Sequence, residues 1–371
     1  MKKKIWMMLL CGALVCFPLG GCGINRADAD AGSVQSEAAS DHKTTKNSNA
    51  EYTSEVFAMD TYMTLTAYGE NAKEAVEAGI AEIQRLDALL STGDANSEVA
   101  QINQNGGGTL SEDTDYLVKR ALAIYQSTQG AFDISIYPVM QLWGFTTGDF
   151  AVPSKEDLAA KLALVNAGRI SLMEDNGVSS ITLPEGMEID LGGIAKGYTS
   201  GRVMEVMKRY GIESAVINLG GNAHVLGSKP DGSAWKVGIQ DPNDTNGYLG
   251  GVSVRDKAII TSGGYERYFV DEATGVKYHH IIDPKTGYSA NNGLISVTIV
   301  SADSTLADGL STSLFVLGTE DAIAYCEEHC AEDGFDAIME DEDGKLYITD
   351  GVMDDFINMN NTANIQEIKT K

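Results

Sequence analysis

Positive charge is what this 371-residue chain has least of. Lysine and arginine together number 27 against 53 aspartates and glutamates, for a formal net charge of −26. A surface of that sign repels polyphosphate backbones and anionic lipid, which excludes nucleic acid as a partner and membrane binding through a basic patch. Any phosphate-bearing ligand must then be held by local devices: a metal ion, helix N-termini and a few cations. Cysteine is also scarce, five in all, too few for a disulfide framework. Cys326 and Cys330 stand four apart in Ala322-Ile-Ala-Tyr-Cys-Glu-Glu-His-Cys330 beside His329. No further ligands stand at a metal-binding spacing, so they are expected to be ordinary helix cysteines. Apolar residues form no stretch long enough to span a bilayer.

The one marked apolar run, Ile5 to Leu19, follows Lys2, Lys3 and Lys4 and precedes Leu19-Gly-Gly-Cys22. A basic start, a short apolar core and small residues before a cleavage point describe a secretory signal. Cysteine after Leu-Gly-Gly fits a bacterial lipobox. Cleavage before Cys22 would leave its thiol to carry diacylglycerol and, taking three lysines from −26, a net charge of −29. Residues 23 to about 50 carry few large apolar side chains and read as a flexible tether. The expected organisation is a lipoprotein signal over 1–21, a lipidated N-terminus and tether over 22–50, and one folded catalytic unit over 51–371. That places the protein on the extracytoplasmic face of a bacterial membrane, held by its lipid anchor only.

Within 51–371 the periodicities predict a strand pair over Val56–Tyr68, helices over Asn71–Leu90 and Asp113–Gln129, and a third opened by the capping box Ser154-Lys-Glu-Asp157. A hairpin is expected over Ile170–Ile189 and a helix over Ala195–Tyr210. Short strands follow, among them Ala215–Leu219, Ala223–Leu226, Trp235–Ile239, Val252–Arg255, Ala258–Thr261, Lys277–Ile281 and Leu294–Val300. Helices Ser304–Leu317 and Glu320–Cys330 and a strand pair, Ala337–Glu340 and Lys345–Ile348, close the pattern. Strands and helices come in runs, which favours an α+β fold with mixed sheets and flanking helices.

Chemistry is concentrated where glycines meet polar side chains. Glu188-Ile-Asp-Leu-Gly-Gly-Ile-Ala-Lys-Gly197 delivers Asp190 into a two-glycine turn, with Lys196 where a helix begins. Asn218-Leu-Gly-Gly-Asn222 and Thr261-Ser-Gly-Gly-Tyr265 are strand ends with paired glycines, suited to a crevice for an extended phosphate-containing ligand. Asp308 and Thr312 lie one helical turn apart, a carboxylate and a hydroxyl on one face, hard donors for Mg²⁺ or Ca²⁺. His279 and His280 precede Ile-Ile-Asp-Pro in a strand, so they face opposite sides. One of them can accept a hydroxyl proton near neutral pH.

These motifs, with Met59-Asp-Thr61, Leu90-Ser-Thr92, Ser97-Glu-Val99, Ile102-Asn103 and Gly130-Ala-Phe-Asp133, stand in an order that resembles the ApbE family, the FAD:protein FMN transferases. The resemblance implies a single catalytic unit with an FAD crevice between lobes. FAD, as substrate, would contact Met59, Ala131, Phe132, Asp133, Asp190, Lys196 and Ile282. Mg²⁺ would be held by Asp308, Thr312 and a carbonyl of the glycine turn, Gly193, and His280 would be the base. The reaction implied is Mg²⁺-dependent transfer of FMN to a threonine of an acceptor flavoprotein, releasing AMP. Alternatives are a Mg²⁺-dependent FAD pyrophosphatase and a non-enzymatic flavin-binding lipoprotein. One departure stands out: where the family often has an aromatic residue after Leu-Ser-Thr, this chain has Gly93.

Overall fold

A computed structural model describes residues 50–244, 246–359 and 364–371; the expected signal segment, Cys22 and almost all of the tether lie outside them. The first elements are the hairpin strands β1 (Glu51–Ala58) and β2 (Thr61–Tyr68). They are joined by a two-residue turn at Met59-Asp60. Both turn residues have positive φ, 48° and 59°, the left-handed pair that a type I′ hairpin turn demands. Next come α1 (Ala72–Leu90), α2 (Glu98–Asn105), β3 (Gly107–Thr109), α3 (Glu112–Ser127), α4 (Tyr137–Trp143) and α5 (Lys155–Leu162). The hairpin β4 (Ser171–Asp175) and β5 (Val178–Thr182) leads into α6 (Gly192–Arg209). Strands β6 (Ser214–Leu219), β7 (Asn222–Gly227), β8 (Trp235–Gln240), β9 (Tyr248–Val254), β10 (Ala258–Gly263), β11 (Tyr268–Val270), β12 (Lys277–His279) and β13 (Leu294–Ser301) follow. The closing elements are α7 (Ser304–Leu317), α8 (Thr319–Asp333), β14 (Phe335–Asp341), β15 (Leu346–Thr349), α9 (Asp350–Met353), β16 (Phe356–Asn358) and β17 (Ile365–Ile368).

The frame is a nine-stranded sheet in the order β1-β2-β6-β7-β10-β13-β14-β15-β17, antiparallel except where β15 meets β17. Its residues alternate between two cores. Val297 and Ile299 pack with Leu310 and Leu314 of α7, whereas Val300 and Ile338 pack with Trp235, Val237 and Val252 of the small sheet β16-β9-β8 on the opposite face. Such alternation is what a sheet covered on both faces requires. The architecture is α+β with mixed sheets, as the runs of strands and helices predict. Register sets where chemistry can occur. Met63 pairs with Leu219, which brings the Met59-Asp60 turn beside the Gly220-Gly221 turn. Strand β10 runs antiparallel to β7, so Thr261, Ser262 and Gly263 arrive at the same end.

The long helices fall where the apolar spacing puts them, and Cys326 and Cys330 are buried, unbridged residues of α8. Ser154 caps α5, accepting from the Asp157 N–H at 3.1 Å. Three departures have local causes. Helix α6 starts at Gly192, not Ala195, because the Asp190 carboxylate accepts the Gly192 N–H at 2.7 Å and closes the first turn; the two glycines are inside the helix. Helix α2 is too short to show a period, and its start signal is Ser97, whose hydroxyl accepts from Ala100. Strand β9 begins at Tyr248 rather than Val252, its first half hidden by Gly250 and Gly251. Those two glycines admit the Phe356 ring and the Val237 carbonyl against the backbone.

Helices α6 and α7 cross closely at Gly197, where an added Cβ would lie 2.2 Å from the Ser304 carbonyl oxygen and 2.5 Å from Asp308 Cβ. At Gly201 the corresponding contact is only Ser304 Oγ at 3.0 Å. Gly197→Ala is therefore expected to destabilise by about 2–3 kcal/mol, because backbone must move. Gly201→Ala is expected to be near neutral. Its gain in helix propensity, roughly 1 kcal/mol, offsets the bond that Ser304 Oγ donates to the Gly197 carbonyl at 2.7 Å. Urea unfolding of the two variants checks the contrast.

Candidate active site

Asp308 sits in α7 where that helix passes under α6 and β7, and it is 5% exposed. One carboxylate oxygen accepts the Gly197 N–H at 2.8 Å and the other accepts the Asn222 side-chain amide at 3.0 Å. A carboxylate has about four acceptor positions, so two neutral donors leave room for more. Burial, opposed by Lys196 and these hydrogen bonds, holds the Asp308 carboxyl above its ordinary range. One turn on, Thr312 is half-buried, its hydroxyl 3.2 Å from Ser262 Oγ. Ser262 also meets Ser311 at 2.8 Å, and Ser311 in turn donates to the Asp308 carbonyl at 2.9 Å. The end of β10 is thus tied to the turn of α7 that carries both expected metal ligands.

Lys196 is the shared cation of this region. It acts on Asp308, on Glu266 and on His280. Glu266 follows the Thr261-Ser-Gly-Gly-Tyr265 segment; burial pushes its carboxyl up to about 7, with Asp308 adding to the rise and Lys196 opposing it. His280 is pushed down to about 3, first by burial and then by Lys196 and Arg267. Its Nδ1 lies 3.2 Å from the Arg267 carbonyl. A carbonyl only accepts, so Nδ1 carries the proton and Nε2 keeps its lone pair. His279 is turned the other way, donating from Nε2 to the Ala290 carbonyl at 2.9 Å, with its ring edge-on to Phe315. The paired glycines before it are packing devices: Gly263 admits the Tyr265 ring and Gly264 the His279 ring.

A second group assembles at the start of α6. The Asp190 N–H donates to the Ile134 carbonyl at 2.8 Å, and the Phe132 ring lies against Gly193, 3.0 Å from where its Cβ would be. Arg267 and Asp60 both act on the Asp190 carboxyl, which burial raises. Asn103 pins the preceding backbone, exchanging bonds with the Ile189 N–H and C=O at 2.7 and 2.8 Å. Met59 Sδ accepts weakly from Thr199 at 3.7 Å. Ala131 lines an open cavity of about 590 Å³ with Asp283, Lys285 and Asn292; Asp308, Lys196 and His280 do not line it. Asp133 turns away: its oxygens accept from the Ser135 N–H and hydroxyl and from the Ala167 N–H, at 2.8, 2.6 and 3.1 Å. Ile282 packs with Val139, Trp143, Phe145 and Leu158 in a satellite core. Gly93 is exposed, in a turn closed by Ser91 Oγ, and Tyr137 Oη stands 3.5 Å from the neighbouring Thr92 carbonyl.

Asn222, Ser262, Glu266 and Arg267 were not singled out from the sequence, although all four lie in or beside quoted motifs. The available signal was their position at strand ends whose register converges. Lys196→Met is expected to raise both the His280 and Glu266 pKa values, since the lysine depresses each. An NMR titration of the two side chains checks this, and unchanged values would remove Lys196 from its central place.

Residues 59–339 match the ApbE family. The chain is 38% identical over 247 residues to an FAD:protein FMN transferase of Klebsiella pneumoniae, covering 65% of this chain and 75% of that one. It is 32% identical over 324 residues to one of Treponema pallidum, covering 82% and 88%. Among solved structures, the ApbE protein of Thermotoga maritima aligns with a TM-score of 0.75 at 32% identity, over 81% of this chain and 98% of that chain. The flavin transferase ApbE of Vibrio cholerae aligns with 0.70 at 29%, over 81% and 97%. With its sequence matched over most of its length and its fold shared, the chain belongs to the ApbE family.

Proposed function

We propose that this chain is an FAD:protein FMN transferase that uses Mg²⁺, attaches FMN to an acceptor threonine and releases AMP. The observation that carries the site assignment is the buried Asp308 carboxylate, held by Gly197 and Asn222 with Lys196, Glu266 and His280 around it. The relatives, FAD:protein FMN transferases and a flavin transferase, support the reaction class.

The residues fit a hard divalent ion. The donors would all be oxygen, from Asp308, Thr312 and the Gly193 carbonyl, which suits Mg²⁺ and not softer metals. Asp308 retains acceptor capacity, and burial raises its carboxyl against the opposing effect of Lys196. When bound, Mg²⁺ supplies neutralisation of the diphosphate. The chain's own groups do the rest. The N-terminus of α6 and Lys196 attract phosphate. The Arg267 carbonyl orients the His280 ring, and burial keeps that ring neutral. The acceptor hydroxyl oxygen bonds to the FMN-side phosphorus, the bond from that phosphorus to the bridging oxygen breaks, and AMP leaves with that oxygen. The hydroxyl proton goes to His280 Nε2. In the cell we place the enzyme at the outer face of a bacterial membrane, tethered through a lipidated Cys22, acting on flavin-bearing proteins there.

The test is incubation of the protein with FAD, Mg²⁺ and a domain carrying an acceptor threonine, read by intact mass and AMP release. One FMN on the acceptor, abolished by EDTA, is the expected result; AMP and free FMN without an adduct would instead indicate a pyrophosphatase. Asp308→Ala is expected to lose metal binding and transfer together. His280→Ala is expected to keep FAD and lose roughly 10²–10⁴ in rate. Transfer at the parent rate in that variant would refute the base assignment.

A further inference from the structure

On the sheet face turned away from α6 and α7, two buried polar atoms have no hydrogen-bond partner: Glu340 Oε2 and Ser296 Oγ. Both residues are almost wholly enclosed, at 4% and 2% exposure. They are direct cross-strand partners, Glu340 on β14 opposite Ser296 on β13. Directly opposed residues have Cβ atoms about 4.5–5.5 Å apart on one face. The strand alternation puts that face against the small sheet, since Ile338 and Val300, of the same parity, pack there. Neither oxygen bonds to the other across the strand pair.

The surroundings are oxygen and negative charge. Tyr265 reaches the same place: Ser296, Glu340 and Asp241 all act on its hydroxyl, and burial with the nearby carboxylates pushes its pKa up. Tyr265 is close to Ser296 but not in hydrogen-bonding geometry with Ser296 Oγ. The charged groups acting on Glu340 are Asp241 and Asp341, both acidic, and with burial they raise its carboxyl to about 7. Asp341 is occupied, accepting from the Asp343 and Lys345 N–H groups and from Tyr347. An isolated carboxylate this deeply placed is costly unless it is protonated or paired. Protonation is one way to meet that cost, and a bound cation is another.

We propose that Glu340, Ser296 and Tyr265 form a binding site for a monovalent alkali cation, with Asp241, which already accepts from the Asn243 and Asp244 N–H groups, adding negative charge nearby. Hard oxygen donors with one buried carboxylate match a single positive charge better than the larger acidic sets that hold Ca²⁺. The site stands back to back with the candidate active site. Ser262 points from β10 to Thr312 on one face, while Ser296, which pairs with Gly263 of the same strand, points to the other. Tyr265 is the neighbour of Glu266. An occupied site would therefore brace the strand ends that carry Ser262 and Glu266.

The experiment is thermal unfolding of the full chain in KCl, NaCl or choline chloride at equal ionic strength, repeated for Glu340→Gln and Ser296→Ala. A ligand bound by the native state alone raises Tm with its concentration. The expected result is a Tm about 2–3 °C higher in 100 mM K⁺ or Na⁺ than in choline. That difference should be absent in Glu340→Gln and reduced in Ser296→Ala. Equal Tm in all three salts would overturn the proposal. A shift that survives in Glu340→Gln would place the cation elsewhere. Stabilisation by micromolar Ca²⁺ that Glu340→Gln abolishes would replace the monovalent ion with a divalent one. None of these readouts depends on transfer activity.

Discussion

Everything at the candidate site depends on how closely α6 and α7 approach at Gly197. A side chain at that position would meet the Ser304 carbonyl and the Asp308 Cβ. Without one, the Gly197 N–H reaches across to the Asp308 carboxylate, and Ser304 returns a bond to the Gly197 carbonyl. Burying a carboxylate without donors is costly; here the donors come from a helix backbone and from Asn222 of the neighbouring strand. The crossing thus does two jobs with the same atoms. It packs two helices at backbone distance and it holds a buried acidic group in place.

The electrostatics follow from a shortage. In a chain with 53 acidic and 27 basic residues, Lys196 is the cation that acts on Asp308, Glu266 and His280 alike. Burial raises the two carboxyls and lowers the histidine, each change favouring the neutral form. A histidine kept neutral suits a proton acceptor, and so few cations leave a need for positive charge should a diphosphate enter. That need is the physical ground for our magnesium assignment. The same shortage recurs behind the sheet, where Glu340 has only acidic neighbours acting on it.

Much of the fold was legible because long periodic segments carry their own evidence. Helix α1, with Val76, Ile83, Leu86 and Leu90 buried, and helix α7 fall where the apolar spacing put them. Legibility failed where a side chain overrode a local rule. Gly192 and Gly193 look like a turn, but the Asp190 carboxylate completes the first turn of α6 around them. The glycines of Thr261-Ser-Gly-Gly-Tyr265 look like a phosphate cradle, yet they make room for Tyr265 and His279. The role of Asp133 in closing the turn after Phe132 was not legible either: its oxygens accept from Ser135 and Ala167.

By itself the sequence determined the element types, the ordered motifs and the two residues one turn apart on α7, because helical and strand periods are properties of neighbouring residues. It also placed His279 and His280 side by side, and they take opposite directions where β12 ends. Only the tertiary structure decided which ring nitrogen donates, Nδ1 in His280 and Nε2 in His279, because the choice rests on two carbonyls, of Arg267 and Ala290, 13 and 11 residues away along the chain. The joining of Asn222 to Asp308, 86 residues apart, was likewise decided by strand register and helix crossing. Contacts between distant segments are set by packing, and no local pattern encodes them.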